Sequence, residues 1–102
     1  MADRIRYLVT YDIRHPRRLR RVHEVAVDHG EQLQYSVYVC DLTRQQLVGL
    51  RAQLREELNL AEDSVSIFDL GPARGKTANR VEHLGRRAAI AREQDGDPTS
   101  IW

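Results

Sequence analysis

Residues 5–13 read IRYLVTYDI, and seven of these nine positions are Ile, Leu, Val, Thr or Tyr. β-branched and aromatic side chains at this density suit a pleated strand better than a helix, and the length matches a buried strand, so a first strand is predicted over 4–12. Apolar side chains fall on both parities of this strand and of those that follow, so both sheet faces need a cover. That requirement points to a layered design. With 102 residues there is room for one modest core and not for a nucleotide-binding domain plus a substrate domain.

Periodicity places the remaining elements. Pro16 suits a first helical turn, Leu19, Val22, Ala26 and His29 recur at helical spacing, and Gly30 supplies a stop. On that wheel Arg17, Arg20 and Arg21 face outward and Arg18 lies at the border. EQLQYSVYVCDL, residues 31–42, alternates like a strand, or like two short strands meeting near Tyr35 and Ser36. Thr43 and Gln46 form a capping-box pair ahead of Leu47, Leu50, Leu54 and Leu58, which predicts a helix over about 44–58. DSVSIFDL, residues 63–70, is another strand, closed by Gly71-Pro72, and 71–79 reads as a loop. Residues 80–85 fit a short strand or the start of a helix equally well. The order β-α-β(β)-α-β is that of ferredoxin-like two-layer folds, and a homodimer stacking its sheets is the economical cover for the second face.

Charge is segregated, although the total is only +1. Residues 1–30 and 71–92 are net basic, whereas 31–70 and the last ten residues are net acidic. Two basic segments brought together by folding would attract a polyanion. The single cysteine, Cys40, excludes an internal disulfide framework and a cysteine-built zinc site, which makes a reducing, cytoplasmic setting the default. No apolar stretch is long enough to span a bilayer, and the N-terminus lacks the apolar run of a secretory signal.

Most chemistry-bearing motifs fail on spacing. GPARGKT, residues 71–77, encloses three residues between its glycines where a phosphate-cradling loop needs four. His15, His23, His29 and His83 form no ligand set, and Cys40 lies within a strand without a nearby base. Asp12 differs, because a carboxylate ending a hydrophobic strand is held at a sheet end by the scaffold. A magnesium ion takes one or two carboxylates and keeps several waters, so a two-fold copy of Asp12 could supply a second ligand. Pairing of Asp12 with Arg14, or with helix-start amides, is the competing reading.

YLVTYDI, the arginine-rich helix start, HGEQLQYSVYVCDL and DSVSIFDLG, in this order and spacing, resemble the small CRISPR adaptation proteins of the Cas two family. RVEHLG, residues 80–85, looks like the short closing strand of its members. The resemblance covers residues 5–86. It implies an α+β, ferredoxin-like βαββαβ sandwich with an extra C-terminal strand in a domain spanning 1–86; the tail over 87–102, polar and turn-rich toward its end, is expected from its composition to be flexible or held by a partner. It also implies a homodimer that joins copies of the Cas one integrase and binds nucleic acid, duplex DNA or single-stranded RNA. Members are described as magnesium-dependent endonucleases. By the same carry-over Asp12 is the metal ligand, Asp12 and Tyr11 are the catalytic pair, and Tyr38 lies near the site. Val39 stands where the family commonly has an acidic residue.

Phosphate contacts are expected from Arg14, Arg17, Arg18, Arg21, Arg74, Lys76 and Arg80, without base reading. Two further readings stand beside the nuclease: a purely architectural DNA-binding adaptor, and a toxin-type ribonuclease of the same fold. A sheet that recognises RNA through paired exposed aromatics is disfavoured by the strand sequences.

Overall fold

The computed structural model describes residues 3–75, 82, 84 and 85. In chain order these form β1 (Ile5–Asp12), α1 (Pro16–His29), β2 (Glu31–Gln34), β3 (Val37–Leu42), α2 (Arg44–Glu57) and β4 (Ser64–Pro72). The strands make one antiparallel sheet in the order β2-β3-β1-β4. This is the ferredoxin-like arrangement, with β1 central and β4 at an edge.

Both helices cover one face. β1 turns Tyr7, Val9 and Tyr11 toward them, and β3 adds Tyr38, Cys40 and Leu42. α1 answers with Val22 and Ala26, and α2 with Leu47, Leu50 and Leu54. Tyr38, Leu50, Val9, Val22 and Cys40 are the most completely enclosed, and a side chain such as Leu50 stabilises the fold by about 1.5–3 kcal/mol through burial. α2 starts as its sequence predicts: Thr43 Oγ1 accepts from the Gln46 amide, and Gln46 Oε1 accepts from the Thr43 amide. α1 is capped by a residue outside the usual set, since His15 Nδ1 accepts from the Arg17 amide at 3.1 Å.

The opposite sheet face carries no helix. The register puts Leu8, Thr10 and Asp12 of β1 there, beside Val37, Val39 and Asp41 of β3 and Ser64, Ser66 and Phe68 of β4. Phe68 is 49% exposed. Arg6, on the same face, has its guanidinium almost enclosed: it forms a two-bonded pair with Asp41 and donates to the carbonyls of Arg74 and Gly75. The chain leaving β4 is thereby drawn back onto the open side of the sheet.

Two expectations are corrected. β4 does not close before Gly71-Pro72 but runs through them, with Ile5 opposite Pro72 and Tyr7 opposite Asp69. The extra residue is absorbed by a bulge in which Gly71 adopts φ 90° and its amide donates to the Asp69 carboxylate. Pro72 is tolerated because β4 is an edge strand. Gly30 does follow α1, but in an extended conformation (φ −162°). It is small for another reason: a Cβ there would meet Cys40 Sγ and the Val39 carbonyl oxygen, each at 2.4 Å. The expected element at 80–85 and the tail over 87–102 lie outside the described residues, apart from Glu82, Leu84 and Gly85. No helix among the described residues is long and apolar enough to cross a membrane.

Candidate active site at the end of strand β1

Asp12 is the last residue of β1 and pairs with Ser64, the first of β4. Its side chain belongs to the helix-free face, in line with Thr10 and Leu8, and is two-thirds exposed. Arg14 Nη2 stands 3.8 Å from Asp12 Oδ2 and is equally exposed. At that distance and exposure the pair contributes about 0–1 kcal/mol, so it neither fixes Asp12 nor withdraws its oxygens from solvent. The sequence alternatives for Asp12 therefore coexist: it touches Arg14 and still offers its carboxylate outward.

Strand alternation separates Tyr11 from Asp12. Tyr11 is 6% exposed, on the helix side, where its ring stacks on Tyr38 with centroids 6.0 Å apart and planes 22° from parallel. Burial pushes its phenol up to about 12, so it holds its proton at neutral pH. Tyr38 is fully enclosed, with its hydroxyl 2.6 Å from His23 Nδ1. Tyr11 and Asp12, expected together, therefore lie on opposite sides of β1, with Tyr11 and Tyr38 packed beneath the strand end. Through its contact with Tyr38, His23 ties α1 to β3.

The arginines divide into two kinds. Arg14, Arg17 and Arg21 are exposed, as is Arg20, and with α1 starting two residues beyond Arg14 they form a basic stretch next to Asp12. Arg18, expected to contact phosphate, is instead engaged within the chain. Its Nε donates to Asp63 at 2.7 Å, and its Nη2 donates to Asp63 and to Glu62. Arg74 is exposed, and its carbonyl is held by Arg6. Lys76 and Arg80 lie outside the described residues.

Asp63 is the feature that the sequence did not reveal. Its side chain is fully enclosed and accepts from the Arg14 and Asn59 amides, each at 2.9 Å, as well as from Arg18. The Arg18 hydrogen bond, opposed by burial and supported by the two amides, holds its carboxyl well below the usual carboxylate range. In sequence it is an acid ahead of a strand, and its arginine partners, Arg18 and Arg14, lie 45 and 49 residues away along the chain.

Among the described residues no three His, Cys, Asp or Glu side chains converge to hold a metal ion. One outward carboxylate does fit a hard cation that keeps most of its water and takes one or two carboxylates. Cys40 is no rival nucleophile, because burial pushes its thiol up to about 11.

Comparison with known proteins agrees with this arrangement. The family described as "CRISPR associated protein Cas2" matches residues 5–78. A protein of Geobacter sulfurreducens named "CRISPR-associated endoribonuclease Cas2" is 46% identical over 80 residues, covering 78% of this chain and 83% of the relative. One from Halalkalibacterium halodurans, named "CRISPR-associated endonuclease Cas2", is 31% identical over 88 residues, covering 81% and 88%. The solved structure of Streptococcus pyogenes Cas2 superposes with a TM-score of 0.65 at 34% identity, covering 78% of this chain and 99% of that one. Since the matched region holds the Asp12 strand end, both helices and all four strands, the chain belongs to the Cas2 family of CRISPR-associated proteins.

Proposed function

We propose that this protein is a homodimeric CRISPR adaptation subunit that binds nucleic acid along the basic start of α1 and hydrolyses phosphodiester bonds at Asp12. The observation that carries the reading is the position of Asp12. It sits at the exposed end of β1 on the helix-free sheet face, in line with Leu8 and next to the strand of exposed Phe68, with Arg14 and Arg17 just beyond. Two copies stacking these faces about a two-fold axis would cover Leu8 and Phe68 and bring two Asp12 carboxylates toward one another.

In this reading the paired Asp12 side chains hold a magnesium ion or another divalent cation. Such an ion, when bound, polarises a scissile phosphate and lowers the pKa of an attacking water. Arg14 turns from its loose contact with Asp12 to a phosphate oxygen, and Arg17 and Arg21 continue the phosphate track without reading bases. Arg74, Lys76 and Arg80 form the second basic segment, whose start the Arg6 clamp places on the open face. Relatives named endoribonuclease support RNA as the substrate class, and one named endonuclease leaves DNA as the other candidate; in this reading the RNA is single-stranded and the DNA duplex. The dimer also joins copies of the Cas one integrase on spacer DNA.

The test is cleavage of labelled single-stranded RNA and duplex DNA by wild type and Asp12→Ala, with magnesium or with chelator. Magnesium-dependent cleavage that disappears in Asp12→Ala is expected. Equal cleavage by both proteins removes Asp12 from the chemistry, and loss of integrase pull-down in the variant assigns it to assembly instead.

A further inference from the structure

We infer that Asp63 is a positioning residue for the Asp12 site, acting through the backbone of Arg14. The inference rests on the proposed role of Asp12.

Two residues separate Asp12 from α1, apart from the cap His15, and nothing in the β ladder holds them, because β1 ends at Asp12. A loop so short yet unpaired would let the strand end fray, taking Asp12 with it. Asp63 prevents this at three points. Oδ1 accepts the Arg14 amide at 2.9 Å, the same carboxylate takes Arg18 from the first turn of α1, and Oδ2 accepts the Asn59 amide from the loop that follows α2. One enclosed carboxylate therefore joins the exit of β1, the start of α1 and the start of β4.

The register makes this connection local to Asp12. Asp63 immediately precedes Ser64, the residue paired with Asp12. The two carboxylates thus lie at one end of the sheet, Asp12 closing β1 and Asp63 just ahead of β4, the one turned outward and open, the other enclosed and saturated with donors. With its acceptor sites taken by the chain, Asp63 is not itself a metal ligand. Arg18 is likewise withdrawn from nucleic acid, which leaves Arg14, Arg17, Arg20 and Arg21 as the exposed set.

The experiment measures Mn²⁺ affinity of the intact protein by electron paramagnetic resonance, without nucleic acid, together with hydrogen exchange of the Arg14 amide. Asp63→Asn is expected to speed Arg14 exchange at least tenfold and to weaken Mn²⁺ binding roughly five- to tenfold. Asp12→Ala is the control for the underlying reading: if it binds Mn²⁺ as wild type does, the metal role of Asp12 fails, whatever Asp63 does. If Asp12→Ala loses Mn²⁺ while Asp63→Asn keeps wild-type affinity despite faster Arg14 exchange, the positioning role fails alone. Should Asp63→Asn not fold, Arg18→Lys retains the carboxylate and one donor, and a two- to fourfold weakening that tracks Arg14 exchange is expected. Faster Arg14 exchange with unchanged Mn²⁺ affinity in that variant also overturns the inference.

Discussion

Replacing Arg6 by Met tests how the sheet holds the chain that leaves β4. Arg6 Nε and Nη2 bond the two oxygens of Asp41 at 2.8 and 2.9 Å, while Nη1 and Nη2 reach the Arg74 and Gly75 carbonyls at 2.9 and 2.7 Å. Methionine keeps the apolar stem and removes all four bonds. Losing one member of a buried ion pair costs about 3–5 kcal/mol when the other stays enclosed. Asp41 is more than a third exposed, and water can replace part of what it loses, so the expected cost falls to roughly 2–3 kcal/mol. For a domain of this size that is a fall in Tm of about 8–20 °C at fixed protein concentration. Removing both charges in Arg6→Met/Asp41→Leu leaves no orphan ion and should cost less than the Arg6 change alone. Urea unfolding of wild type, both single variants and the double supplies the cycle. An Arg6→Met variant within about 0.5 kcal/mol of wild type, or a cycle that is simply additive, refutes the clamp.

Acid should remove two of these ties. The carboxyls of Asp41 and Asp63 are lowered by Arg6 and Arg18 respectively. Their contribution is complete above the ordinary carboxylate range and lost as pH falls below about 4; Tm measured from pH 7 to pH 3 should drop, and drop less steeply in Asp63→Asn. Gly30→Ala should destabilise by about 1–3 kcal/mol, although φ −162° suits alanine, because the new Cβ collides with Cys40 and Val39; denaturant midpoints at or above wild type contradict the clash. Charge reversal at Arg17 and Arg21 should weaken duplex binding at moderate salt and flatten its salt dependence, measured by fluorescence anisotropy, and unchanged binding would remove α1 from the nucleic-acid surface.

The elements were legible where local rules act alone. Apolar periodicity located β1 and both helices, and the Thr43–Gln46 pair gave the start of α2 to the residue. The end of β4 is not legible locally, because Gly-Pro ordinarily stops a strand, while here an edge position and a bulge admit it. Asp12 was identifiable as a strand-end carboxylate beside arginines. Its separation from Tyr11 follows from alternation alone, but which face is covered depends on how the helices pack. Arg18 and Asp63 were not separable from ordinary surface charges, since their pairing spans 45 residues and depends on β4 lying beside β1. Arg6 and Asp41 carry no local signal either, because each sits at an outward position of its own strand, and Arg6 becomes enclosed only when the chain after β4 returns.

The shared-site claim is tested most directly by mixed dimers. Wild type and Asp12→Ala are combined in equal amounts, allowed to exchange subunits, and assayed for magnesium-dependent cleavage at constant total protein. If each site needs both carboxylates, only wild-type homodimers act, and activity falls to about one quarter of that of wild type alone. Activity of about three quarters would mean that a single Asp12 suffices for a shared site, and about one half that each subunit acts alone; either would contradict the two-fold site.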